Sequence, residues 1–150
     1  NSPAYGFTTA MYDASLTYKG WAYPIRLSGS YFDNTQVSEK DGGYFIGAKL
    51  GSAKKAGQWE VGYEFRRLEA DMFYDHLPES DFGATGIKSS TGYNNGTNVK
   101  GHVIKAKYNI FDNWQAVFTL FRTEPVDPVS GFSTNNESST RILVDLIWKF

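Results

Sequence analysis

The chain contains no cysteine, so disulfides and thiolate metal sites are excluded. It also lacks any run approaching the roughly 20 consecutive apolar residues that a membrane-spanning helix needs. Neither sign of charge prevails: 15 basic and 16 acidic residues leave a net charge of −1, with no polycationic face for nucleic acid. Histidine is confined to His76 and His102. No phosphate-cradling glycine motif, zinc-ligand spacing or nucleophile elbow occurs, so no cofactor or metal is expected. Asp75 and His76 form the one adjacent acid–histidine pair, and adjacency alone does not make a base and its orienter. The expectation is therefore a non-enzyme. The opening Asn1-Ser2-Pro3 carries no charged-then-apolar leader and predicts a processed chain or a fragment.

What the chain has in quantity is aromatic residues, 17% of the total, on a mean hydropathy of −0.43. That combination suits strands with one apolar and one polar face. Residues 140–150 show it most clearly: Ile142, Val144, Leu146, Trp148 and Phe150 alternate with Arg141, Leu143, Asp145, Ile147 and Lys149. Strand side chains point to opposite sides in turn, so these become two separate faces.

Six earlier segments repeat the pattern. About residues 5–18, Ala10, Tyr12, Ala14, Leu16 and Tyr18 oppose Thr9, Met11, Asp13, Ser15 and Thr17. About 21–33, Tyr23, Ile25, Leu27 and Tyr31 oppose Arg26, Ser28 and Ser30, with Pro24 near a strand end because it cannot donate to a ladder. Tyr44, Ile46, Ala48 and Leu50 then oppose Phe45, Gly47 and Lys49, and Trp59, Val61, Tyr63 and Phe65 oppose Glu60, Gly62, Glu64 and Arg66. Ile104, Ala106, Tyr108 and Ile110 oppose Val103, Lys105, Lys107 and Asn109. Trp114, Ala116, Phe118 and Leu120 oppose Gln115, Val117, Thr119 and Phe121. No segment has helical periodicity.

Three features bear on which face is outside. Long polar connections alternate with short turns at 19–20, 52–57 and 112–113, as in outer-membrane barrels with short periplasmic turns and long external loops. All four tryptophans fall at the short-turn end. Trp21, Trp59, Trp114 and Trp148, with Tyr18, Tyr23, Tyr108 and Phe150, predict an aromatic girdle at a membrane interface. Segments of about ten residues, tilted by ~40°, span roughly 26 Å, the height of an outer-membrane apolar band. The expected fold is an all-β antiparallel transmembrane barrel. About seven strands are visible, one 150-residue domain that reads as the C-terminal portion of a larger, ~16-stranded barrel. The alternatives are a small eight-stranded barrel acting as a structural or adhesive anchor, and a soluble lipid-binding barrel with its apolar rows inward.

Several stretches resemble a known family: residues 80–83 in a long acidic loop, 96–102 opening a strand, 109–114 at a turn and 141–150 at the end. Over about residues 57–150 the chain is similar to the carboxy-terminal half of a bacterial porin family. The resemblance implies a Gram-negative outer-membrane barrel for passive diffusion of small hydrophilic solutes or ions, and supplies no catalytic residues. It implies the lipid bilayer as surroundings. The terminal strand resembles the signal read by the barrel-assembly machinery, and trimerisation is common among general porins.

On this register the lumen-facing residues are Asp13, Arg26, Lys49, Glu60, Glu64, Arg66, Lys105, Lys107, Arg141, Asp145 and Lys149. Seven bases against four acids favour anions if unpaired, and leave little net field if they pair across strands. The loops are acidic. Asp75, Glu79 and Asp81 present oxygen ligands, but at no calcium-loop spacing, so a solvated loop is expected. The connection of about residues 73–98 is long enough to fold inward and narrow a pore.

Overall fold

Pairing partners, more than intrinsic preference, decide how these two-faced segments assemble. A strand with one apolar face lowers its free energy only when neighbours continue that face in register, because a slip of one residue inverts every side chain. The computed structural model describes residues 8–72, 81–83, 97–127 and 138–149. Its seven strands are β1 (Thr9–Tyr18), β2 (Ile25–Asn34), β3 (Gly42–Gly51), β4 (Trp59–Leu68), β5 (Val99–Phe111), β6 (Trp114–Pro125) and β7 (Ser139–Trp148). They form one antiparallel meander in sequence order, with no helix among the described residues. The sheet is open: β1 and β7 are its two edges and do not pair with each other. The expectation of a closed barrel is thus met only as far as one continuous wall.

The register carries each row across the whole wall. Tyr63 lies opposite Ile104, which lies opposite Leu120, which lies opposite Ile142. One rung nearer the short turns, Val61, Ala106, Phe118 and Val144 line up in the same way. This face is open to its surroundings, with Val144 76% and Leu146 59% exposed. Strand four ends at Leu68 rather than running on towards 73, because residues 70–71 turn.

The connections after Gly51 and Phe111 match the sequence reading, whereas the one between β1 and β2 runs over 19–24 instead of 19–20 and takes Trp21 and Tyr23 out of the expected strand. Asp112 and Asn113 alone join β5 to β6, after a register irregularity between Asn109 and Phe111. The turns also brace one another. The Ala56 N–H donates to the Asp112 carboxylate at 2.8 Å, and the Lys149 N–H donates to the Asn113 carbonyl at 2.8 Å.

The buried core was not expected where it lies. Phe32, Leu68, Met72, Phe82, Val99, Val103 and Phe121 cluster, with Phe45 and Leu143 packed against them. All the strand members belong to the face that also carries the charges, towards the long-loop end. Phe32, Gly43, Leu68 and Val99 make one rung across β2–β5. Gly43 leaves the gap that Met72 occupies from the following connection. A Cβ on Gly43 would overlap the Met72 sulfur and come within 3.0 Å of the Arg67 carbonyl oxygen.

Gly43→Ala should therefore unseat Met72 and cost about 1–3 kcal/mol, the usual penalty for overpacking. Gly29→Ala, where a Cβ meets nothing nearer than the Phe45 carbonyl at 3.7 Å, is the control and should cost far less. Thermal unfolding of the two variants tests this; equal stability would refute the seating role of Gly43.

Candidate functional site

Each charged side chain takes its position from the alternation of its strand. Asp13, Arg26, Lys49, Glu60, Glu64, Arg66, Lys105, Lys107, Arg141 and Asp145 all fall on the face opposite the exposed apolar rows. Lys149 lies just past β7, at the short-turn rim.

Many of these charges are engaged. Glu60 receives Lys49 at 3.3 Å and Lys107 at 3.1 Å, one carboxylate between two ammonium groups. Arg66 pairs with Glu64 two residues earlier on its own strand. The Ser30 hydroxyl donates to Asp13, and Arg26 donates to the Ser15 hydroxyl at 3.3 Å. Lys105 has no ion-pair partner among the described residues. Cross-strand pairing thus removes part of the positive field that the raw charge count suggests, and part remains.

One piece of the long β4–β5 connection reaches onto this face. Asp81 accepts from Arg141 of β7 at 2.8 Å. Phe82 is buried beside the Arg66 guanidinium, which lies 5.1 Å from its ring centroid and 5.2 Å from that of Phe45. A cation between two aromatic faces gains from both ring quadrupoles. Gly83 takes φ +86, where an L side chain is disfavoured, and a Cβ there would press on Val99. Residues 81–83 therefore bridge β7 and β4 across the polar face.

Sequence reading placed Asp81 in a solvated acidic loop; its partner is Arg141 instead. Asp75, Glu79 and His76 lie outside the described residues. Among those described, no group of three His, Cys, Asp or Glu side chains could hold a metal ion. His102 stands on the apolar face, its Nδ1 2.8 Å from the Tyr63 hydroxyl.

The rim above this segment is knotted by side chains that lie outside the alternating rows. Asn34, fully buried, donates to the Asp71 carbonyl at 2.7 Å and accepts from the Thr8 and Gln36 N–H groups. Thr97 donates to the Ala70 carbonyl at 2.8 Å. Lys40 reaches Asp127 at 3.1 Å, and this hydrogen bond and opposite charge raise the lysine pKa above its ordinary value. The lysine is therefore charged at neutral pH, and its half of the tie is lost as pH rises through that raised value. One signal was legible: Phe45, Val103, Phe121 and Leu143 interrupt an otherwise polar face and call for an apolar cover.

The predicted girdle residues gather at the short-turn end. Trp59 lies opposite Tyr108, and Trp114 opposite Trp148, with ring centroids of the two tryptophans 6.1 Å apart. Tyr23 packs on Trp59 at 4.9 Å. Tyr18 ends β1, and Trp21 occupies the turn that follows; both are exposed. Phe150 lies outside the described residues.

A continuous antiparallel wall, with apolar rows on one side, most strand charges on the other and residues 81–83 lying over the charged side, defines an amphipathic all-β sheet protein. The chain belongs to the family described as "Putative porin", whose model matches residues 5–150. The match thus extends well ahead of residue 57, where the resemblance in the sequence begins. No curated protein and no solved structure matches.

Arg141→Gln should loosen the 81–83 segment by about 0.5–1 kcal/mol, the range for a partly exposed ion pair. Hydrogen exchange at the Phe82 amide should then quicken about twofold to fivefold. An unchanged rate would show that Arg141 does not hold the segment.

Proposed function

We propose that this chain forms the wall of an outer-membrane porin, a water-filled channel for passive diffusion of small hydrophilic solutes or ions. The observation that carries this reading is the separation of faces. Seven strands, with one register irregularity between Asn109 and Phe111, keep the apolar rungs exposed on one side and ten strand charges on the other; Asp33, Arg67, Lys100, Arg122 and Glu124 share the apolar side only at its long-loop end. An outward apolar face is at home against acyl chains, and a charged face against water in a lumen. The soluble alternative asks for the reverse arrangement, with Val144 and Leu146 enclosed.

In this reading the short turns and the tryptophan-rich rim face the periplasm, and the long connections face outward from a Gram-negative cell. The aromatic rim meets the inner headgroup layer, where amphipathic rings are favoured. The two free edges pair with further strands, so that the described sheet is the carboxy-terminal part of a larger barrel. An open sheet cannot persist in hydrocarbon with unpaired backbone groups, which is why closure is required. The terminal strand is offered to the barrel-assembly machinery, and the assembled barrel forms a homotrimer. Residues 81–83 narrow the bore from one side, with Arg66, Arg141 and Asp81 setting the charge at that level.

Two measurements test the proposal. In planar bilayers the protein should give steady ohmic conductance, whereas a small filled anchor barrel would pass none. Val144→Arg should destabilise the bilayer-folded protein by about 2–4 kcal/mol, the cost of a midplane arginine facing lipid. Ser15→Arg, on the charged face, should cost little. Similar stability of the two variants in a urea titration would overturn the assignment of faces.

A further inference from the structure

One rung of the charged face breaks a rule that the others keep. Arg26 lies directly opposite Lys49, Lys49 opposite Gly62, and Gly62 opposite Lys105. Like charges directly opposite one another on an antiparallel pair are destabilising. This rung holds three bases and no acid. The acids one rung away are both engaged: Glu60 is shared between Lys49 and Lys107, and Glu64 pairs with Arg66. Arg26 contacts a neutral hydroxyl, and Lys105 has no ion pair among the described residues.

The rung also has a shape. Arg26, Lys49, Gly62, Glu64, Arg66 and Lys105 line a cleft of about 260 Å³, and its one carboxylate, Glu64, is already paired with Arg66. Gly62 forms its floor, between lysines that stand two strand spacings apart, about 10 Å. A Cβ on Gly62 would meet nothing closer than the Ala48 carbonyl at 3.8 Å, so the sheet has room for a side chain there. Backbone φ does not demand glycine either, because Gly62 is not among the positive-φ residues. The missing side chain keeps the cleft open between the bases.

We propose that the Arg26–Lys49–Gly62–Lys105 rung is a binding site for a small polyvalent oxyanion, a phosphorylated or polycarboxylate solute. Such an anion supplies the counter-charge that the rung lacks, and flexible ammonium and guanidinium groups on both sides of Gly62 close around it with charge-assisted hydrogen bonds. The inference deepens the channel reading and rests on this face being wetted.

Calorimetric titration of the detergent-solubilised protein with pyrophosphate and with citrate, at low ionic strength, decides the matter. Saturable binding of either anion is expected, and the ratio of the two affinities separates a phosphoryl ligand from a carboxylate one. Lys105→Gln should weaken binding about tenfold and Arg26→Gln with Lys105→Gln about a hundredfold, as each charge-assisted contact is lost. Lys105→Arg should largely restore it. Gly62→Leu should abolish binding by filling the cleft while leaving thermal unfolding nearly unchanged. Lys100→Gln, on the opposite face, should have no effect. Absence of saturable binding by the wild-type protein, or full affinity in the double variant, would overturn the site. Conductance plays no part in this readout, so a barrel that passes no current would refute the channel and leave the anion result standing.

Discussion

Cross-strand register is the constraint on which everything else in this protein depends. With a side-chain period of two, one slipped residue in any strand would bring a row of leucines among lysines and arginines. Six consecutive pairings hold that register from Thr9 to Trp148. Because it holds, the tryptophans share a rim, the apolar rungs make a continuous surface, and bases from three different strands converge on Gly62.

The charged face is not uniform along the strand direction. Its long-loop end is greasy, with Phe32, Leu68 and Val99 in one rung and Met72 seated over Gly43. Its middle carries Glu64, Arg66 and the basic rung of Arg26, Lys49 and Lys105. Its short-turn end is polar, with the buried Asn109 and Gln115 amides bonded at 2.6 Å. The greasy end has a direct structural use. It gives residues 72 and 82 an apolar bed, and burial of Phe82 there holds the short piece in which Asp81 meets Arg141. Hydrophobic packing and an ion pair thus cooperate to place a loop over a surface that would otherwise be open to water.

The two faces also divide the labour of stability and function. In a porin the apolar face would gain its free energy from lipid rather than from a protein interior, which explains why so little of it is covered within the described residues. The polar face holds the buried cluster instead. Pairing within Lys49–Glu60–Lys107 and Arg66–Glu64 keeps that face tolerable, and the residual positive charge is concentrated near Gly62 rather than spread over the wall.

Strand identity, the two-residue turn at Asp112 and Asn113, the alternation of long and short connections and the common face of Asp13, Arg26, Lys49, Glu60, Glu64, Arg66, Lys105, Lys107, Arg141 and Asp145 were determined by the sequence alone. The reason is local: period-two alternation and turn chemistry are properties of neighbouring residues. The family was also legible, through residues 96–102, 109–114 and 141–150. What only the tertiary structure decided was which residues meet across strands and over the sheet. The three-base rung depends on registers spanning Arg26 to Lys105, and no local pattern records such distances. Phe82 and Met72 had no visible role until the connection folded back onto Phe45, Val103 and Phe121, because a loop residue's partners are set by where the chain returns and not by its neighbours in sequence.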